Sequence, residues 1–434
     1  MKIFIIHYHL YPGGVTKIVD YQIKSIKLIH PERELEIICG FSDFRSVYED
    51  FNVPVTVVPE LDYMQKESYS KDEIDSLVSK LYEFFKENVA KDDIIHFHNL
   101  NLGKNPAATY CMYKLATEEY NILNHAHDFA EDRPVNMAFN NMVIAEKLSY
   151  NPKEIMYPLT IDNYRFGVIN TSDQKRLLDV QVPAHRIDYL PNPVNPPALS
   201  DLPGKEECKE LIQKLLQLSP EKKIVTYPVR VIRRKNIGEL ILLSEIFKDE
   251  ATFLVTLPPE NPVEKKFYDQ WLQFCEKNNF HNVLFEVNSL VDFDILLHGS
   301  DFCITTSYRE GFGMVFMEPW LYCTPVTGRD IEYITRDFVA QELQFPNLYE
   351  EIYIEEQRED FKNLTIEEQM DVILSLSGDS SNRHKLLYNN PRLKDLLNEP
   401  DNRVVKKNKS VIINNYSFES YGSKLVETYK KFFR

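Results

Sequence analysis

Apolar positions along the chain come in short bursts separated by longer amphipathic stretches. Residues 2–7, KIFIIH, form an apolar run that predicts a buried strand. A Pro-Gly-Gly turn follows, and then Val15, Ile18, Val19 and Ile26 recur at helical spacing, with Gln22 interrupting the stripe. Strand-like runs return at Leu35–Cys39, Val53–Val58, Ile94–His98, Ile122–His125 and Phe166–Asn170. Helical stretches such as Lys71–Val89 separate most of them. This alternation predicts a parallel sheet covered by helices on both faces.

The pattern breaks at 190–205, LPNPVNPPALSDLPGK, where proline ends regular elements and stiffens a connection. Alternation then restarts with strands at Lys223–Tyr227, Thr252–Leu257, Val283–Phe285 and Phe302–Thr305, and helices near Ile237–Phe247, Glu264–Asn278 and Phe293–Leu297. The expected organisation is an N-terminal Rossmann-like domain over 1–192, a Pro-rich linker over 193–204 and a second such domain over 205–412. A helix over 413–434 should pack back on the first domain, with Ser417 as N-cap and Tyr421, Leu425, Tyr429 and Phe432 as its stripe. Residues 331–402 read as an irregular, acidic insertion, with loops at Ser377–Asn390 and Asn398–Asn408. Two doubly wound sheets place ligands beyond the carboxyl ends of their strands, so a cleft between facing domains is expected.

Composition narrows the class. With 434 residues the chain can bury a core without disulfides or structural metal. The net charge of −16 argues against a broad nucleic-acid or anionic-lipid surface. Lys17, Lys24 and Lys27 on the first helix leave room for peripheral membrane contact. The first residues lack signal-peptide character, no apolar run is long enough for a transmembrane helix, and the six cysteines are scattered without a CxxC pair. A cytoplasmic protein with idle thiols is expected. There are 13 glycines, where an average composition would give roughly 30. Those that cluster therefore stand out.

Four groups carry candidate chemistry. Gly13 and Gly14 sit between the first strand and helix, where they form either a tight turn or an approach for an anion to backbone amides. In TYPVRVIRRKNIGEL, Arg230 follows a strand and Lys235 opens a helix, which fits a diphosphate clamp or a solvated basic turn. In ITTSYREGFGMVFMEPW, Glu310, Gly311, Phe312 and Gly313 make a turn after a strand, and Glu318 lies slightly over two helical turns further on. Glu310 and Glu318 can accept from sugar and ribose hydroxyls, and the glycine amides can bind hydroxyls or phosphate oxygens. The last group is two H-x-H pairs at strand ends, His96 with His98 and His125 with His127. Each pair projects to one face. They fit hydrogen-bonded core histidines, a metal site completed by Asp128, or a His127 that touches sugar.

These motifs, in this order, resemble the retaining glycosyltransferase family 4 with the GT-B fold. The matching pieces are Gly13-Gly14, His98, His127-Asp128, the run 168–194, the Arg230…Lys235 spacing and the Glu310…Glu318 element. The resemblance implies an α/β GT-B enzyme that moves a hexose from a nucleoside-diphosphate sugar to a hydroxyl acceptor (small molecule, glycan or lipid), with retention. Gly14 would bind the donor diphosphate, and Arg230 and Lys235 would neutralise it as it leaves. Glu310 with Gly311–Gly313 would hold the sugar, Glu318 the ribose, and His127 would sit against the donor sugar. No cofactor and no metal would be needed, in keeping with the lack of a DxD-type element. Pro319, Trp320, Thr324 and Asn192-Pro193-Val194 depart from the family pattern. Residues 331–402 depart most and offer a cap or a homo-oligomer surface. The residues leave two other readings open: a metal-dependent hydrolase built on the H-x-H pairs, and a non-catalytic sugar-nucleotide-binding subunit.

Overall fold

The computed structural model describes residues 1–42, 51–66, 68–378 and 380–433. They divide into two compact units, Met1–Asn195 with Asn415–Arg434, and Pro196–Asn414.

Unit 1 is built on seven strands: β1 (Ile3–His7), β2 (Leu35–Cys39), β3 (Val55–Val57), β4 (Ile94–His98), β5 (Asn121–Ala126), β6 (Tyr164–Val168) and β7 (Ile187–Tyr189). Their order is 3-2-1-4-5-6-7, and every pair is parallel. Both faces are covered, which explains the unbroken apolar runs. Phe4 and Ile6 feed one core with Ile95 and Phe97, while Ile3 and Ile5 feed the other with Ile37, Ile94 and Leu123. The register sets β4 against β5 so that His98 lies opposite His125.

The second of those cores is closed by two helices. Gly14–Ile29 contributes Val19, Ile23 and Ile26, and Phe418–Lys430 contributes Tyr421, Leu425 and Tyr429. Ser417 caps the latter by accepting from the Ser420 N–H. The helices approach closely at Gly422, where a Cβ would stand 2.5 Å from the Ser25 carbonyl oxygen. Gln22, which breaks the apolar stripe in sequence, is fully buried at this interface. Lys24 pairs with Asp20 at 2.7 Å, and Lys27 donates to the carbonyls of Pro31 and Arg33, so these two cations of the first helix are already compensated.

Unit 2 carries β8 (Lys223–Arg230), β9 (Ala251–Leu257), β10 (Val283–Leu284), β11 (Phe302–Thr305), β12 (Val326–Arg329) and β13 (Asn347–Tyr349), all parallel, in the order 10-9-8-11-12-13. A small antiparallel hairpin follows, β14 (Tyr353–Ile354) with β15 (Glu359–Asp360).

Residues 331–402 are far more regular than their composition predicts. Helices run over Glu332–Ala340, Ile366–Gly378 and Ser380–Asn389, and β13 completes the sheet. The segments expected as loops are largely helical, because packing overrides weak propensity. Ile373, Leu376 and Leu386 are buried in the same core as the Ile237–Ile246 helix. Asn402–Tyr416 is helical too. Asn408, polar enough to read as loop, is fully buried and brackets the Gln344 backbone, accepting from its N–H at 2.9 Å and donating to its carbonyl at 2.8 Å.

Candidate functional site

In unit 2 the polar residues gather just past the carboxyl ends of β8 and β11. After β8 the chain makes a 3-10 turn, Arg233–Lys235, and leaves it through Asn236 in the left-handed region (φ 50°). This turn is pinned to the β11 exit. The Lys235 carbonyl accepts from Tyr227 Oη at 3.0 Å and Thr306 Oγ1 at 2.9 Å, and the Tyr308 N–H donates to the Arg234 carbonyl. Pinning brings Lys235 Nζ onto Glu310 Oε1, while Arg234 Nη1 donates to Glu310 Oε2 at 2.7 Å. Tyr333 brackets the Glu310 backbone, accepting from its N–H and donating to its carbonyl.

The electrostatics follow from burial. Burial pushes the Lys235 ammonium below its ordinary range despite Glu310 beside it. Burial would raise the Glu310 carboxyl, but Lys235 and Arg234 more than offset it and hold it low. Two cations thus share one carboxylate, leaving one positive charge in excess. Arg230 is not part of this cluster. It ends β8 and pairs with exposed Glu260 at 2.8 Å. Exposed pairs of this kind are worth roughly 0–1 kcal/mol, so little holds Arg230 there. Arg234, which as sequence only adds to a basic run, takes the position beside Glu310.

The rest of the glycine turn has divided duties. Gly313 needs to be glycine: its φ is +86°, and a Cβ would come within 2.6 Å of Ile334. The Phe312 ring is buried edge-on against Phe338 (5.6 Å between centroids), so it secures the turn from below. Glu318 opens the short Glu318–Leu321 helix and is half-buried, above a fully buried Trp320.

A second ionic group lies beneath. Arg329, at the end of β12, is 1% exposed and makes paired hydrogen bonds to Glu239 and to Asp360. Tyr349 Oη donates to Glu239 at 2.7 Å, and Asn236 Nδ2 donates to its other oxygen at 2.8 Å. Asn236 directly follows Lys235, so this network braces the turn that carries the lysine. No sequence pattern marks it, since its members lie 90 and 31 residues apart.

Unit 1 has a different kind of site. His96 and His98 on β4, and His125 and His127 on and just past β5, form one stack of imidazoles with centroid separations of 4.5 to 5.2 Å. Several of their nitrogens are hydrogen-bonded within the group: His96 Nδ1 to Tyr429 Oη (2.7 Å), His96 Nε2 to His125 Nδ1 (3.1 Å), and His98 Nδ1 to His127 Nε2 (2.9 Å). Gln22 sits in the middle. Its Oε1 lies 3.0 Å from His98 Nε2, and its Nε2 donates to Tyr421 Oη (2.7 Å) and faces His125 Nδ1 (3.1 Å). His96, His98 and His125 are fully buried, whereas His127 is 8% exposed and forms the open end of the stack. Its backbone is clamped by Asn99 Oδ1, which accepts from the N–H of both His127 and Asp128.

Burial holds all four imidazoles in the neutral form, His96 down to about 3. His96, His98 and His125 offer ligand atoms within 4.8 Å of one another. Asp128, expected as a further ligand, points elsewhere and pairs with Arg133 at 2.9 Å. Gly13 and Gly14 are exposed, and added Cβ atoms would meet nothing closer than 3.8 Å. Among the described residues nothing requires glycine there. His9, Tyr11 and Tyr63 group their rings at the same exit of β1, with neighbouring centroids 4.8 Å apart. No motif announces them.

Residues 209–345 match the family model for glycosyl transferases group 1. The chain is 28% identical over 333 residues to mannosylglucosyl-3-phosphoglycerate synthase of Petrotoga mobilis, covering 73% of this chain and 62% of that protein. The chain therefore spans under two thirds of the length of that curated relative. Among solved structures it is similar to Anabaena HepE in complex with UDP-glucose (TM-score 0.60, 14% identity, 99% of each chain). It is also similar to a glycosyltransferase from Rickettsia africae (TM-score 0.63, 17% identity, 100% of this chain and 99% of that one). At these identities the likeness is one of fold, and the fold is GT-B: two parallel-sheet α/β domains. Among the described residues no helix is long and apolar enough to cross a membrane.

Proposed function

We propose that this chain is a glycosyltransferase that moves a hexose from a nucleoside-diphosphate sugar to a hydroxyl acceptor, with retention and without a metal ion. The observation that carries the reading is the Lys235–Glu310–Arg234 cluster, with Lys235 and Glu310 largely desolvated, inside the segment that matches the group 1 family model.

Breaking the anomeric C–O bond leaves an oxocarbenium-like sugar and a departing diphosphate. Cations placed where that negative charge grows stabilise the transition state more than the ground state. Lys235 and Arg234 supply them, and Arg230 can swing in from its weak surface pair. When a donor binds, its phosphate oxygens replace Glu310 as partners of Lys235. The freed carboxylate then accepts from sugar hydroxyls. Glu318 accepts from the ribose, and the amides of Gly311–Gly313 and of Gly14 donate to donor oxygens. His127 meets a sugar hydroxyl. Retention proceeds by front-face attack, the leaving phosphate taking the acceptor's proton.

The relative's name specifies a product in which sugars are carried on phosphoglycerate. Phosphorylated glycosides are therefore the first acceptors to offer. The decisive experiment is nucleotide release from UDP-, GDP- and ADP-sugars in EDTA, with and without such acceptors, using Lys235→Ala as control. Release from one donor, lost in the variant, supports the reading. Absence of both binding and release for every donor would overturn it. Activity that disappears with EDTA and returns with a divalent cation would instead favour the metal-dependent alternative.

A further inference from the structure

The imidazole stack is a chain of donors and acceptors, and its proton positions can be worked out from one end. Gln22 is the anchor. A carboxamide oxygen carries no proton, so at 3.0 Å from Gln22 Oε1 the His98 Nε2 must be the donor. A neutral imidazole has a single N–H, and burial keeps His98 neutral. Its Nδ1 is then a bare lone pair. The group 2.9 Å away, His127 Nε2, must donate into it. That places the single proton of His127 on Nε2 and leaves its Nδ1 bare.

The other side of Gln22 agrees. Its amide N–H groups face Tyr421 Oη and His125 Nδ1, which requires a bare Nδ1 and a protonated Nε2 on His125. The orientation of the Gln22 amide thus sets every donor in the chain.

We propose that Gln22 is a positioning residue that fixes His127 as the Nε2–H tautomer, so that His127 presents Nδ1 to the substrate as a hydrogen-bond acceptor. The ligand chemistry this selects is a free sugar hydroxyl that donates, and an O-methylated position would be refused. The inference rests on the glycosyltransferase reading for the identity of the ligand, but the tautomer does not depend on it.

The test is a long-range 15N–1H spectrum of the full chain labelled at histidine, with His127 assigned by loss of its signals in His127→Gln. The expected result is an Nε2–H pattern for His127 in the wild type, replaced by an averaged or Nδ1–H pattern in Gln22→Met. An Nδ1–H pattern in the wild type overturns the proposal without any need for the variant to fold. An unchanged pattern in a folded Gln22→Met also overturns it. On the active donor, Gln22→Met should lower turnover by roughly tenfold to a hundredfold with little change in donor KM, since the group lost acts on the reacting sugar. The expected spectra in a protein that neither binds nor processes any donor would sink the transferase reading and leave the tautomer assignment standing.

Discussion

The imidazole group of unit 1 is neutral, and the groups around Lys235 and Arg329 in unit 2 are ionic. Four imidazoles, a carboxamide and two phenols meet in unit 1 with no formal charge among them. In unit 2, Lys235, Arg234 and Glu310 stand over a second buried group of Arg329, Glu239 and Asp360. Arg234 apart, both are largely buried, so each has had to answer the cost of desolvation. Unit 1 answers by keeping its bases unprotonated and controlling direction. Unit 2 answers by pairing and controlling charge. A neutral array can orient a hydroxyl without attracting an anion, while a cationic one can hold a diphosphate but says little about hydroxyl geometry.

Substitutions can break this contrast, and the largest effect should come from the buried ions. Arg329→Met leaves Glu239 and Asp360 without their common partner, and unfolding should become easier by about 3–5 kcal/mol. A urea titration giving less than about 1 kcal/mol would show that the network does not bear on stability. Next is Lys235→Ala, for which turnover should fall roughly 100- to 1,000-fold. Nucleoside-diphosphate affinity, measured by calorimetry, should change much less. An equal loss in both would make Lys235 a binding group only.

The neutral site should respond more gently. Tyr429→Phe removes the partner of His96 Nδ1 inside the core, and the cost should be about 1–3 kcal/mol by urea titration. Acid sharpens the comparison further. His7 and His96 are held down to about 3 in the folded protein, first by burial and then by neighbouring histidines, against about 6.5 when unfolded. On acidification the unfolded chain takes up these protons first. Their stability contribution is therefore whole above about pH 6.5 and is lost towards pH 3, at about 1.4 kcal/mol per pH unit for each histidine. A melting temperature that stays flat from pH 6.5 to 5 would contradict it. The smallest effect is Gly14→Ala. Its Cβ meets nothing, and alanine favours a helix by up to about 1 kcal/mol, so stability should hold or rise. Donor affinity should nevertheless fall if an amide there meets the diphosphate.

How much of this could be read beforehand depended on the distance over which each feature is encoded. β1, β2, β4 and β11 are apolar runs bounded by turns, and local pattern suffices for them. The Lys235 and Glu310 turns carry their chemistry within a few residues and were visible too. β7, β12 and β13 were not, being three or four residues long with Asp188, Arg329 and Asn347 among them. Polar strand residues make sense only once their buried partners are known. The same holds for Gln22, which looks like a flaw in a hydrophobic stripe, and for Arg234, which looks like surplus charge. Each takes its meaning from residues far along the chain. The helix over 402–416 was hidden by Asn408, whose partner is the backbone at Gln344.

The division of the chain has a consequence for synthesis. Unit 1 takes its last residues from Asn415–Arg434, more than two hundred positions after the rest of it has been made. Tyr421 and Tyr429 complete the hydrogen bonds of Gln22 and His96. While the chain emerges from the ribosome, the first-made sheet waits with its polar centre unfinished, and the second unit is translated before the missing phenols arrive. A product that stops before the Phe418–Lys430 helix would keep the lysine and the glutamates yet leave buried amide and imidazole groups unanswered. Maturation of the imidazole site is thus tied to the synthesis of residues 415–434.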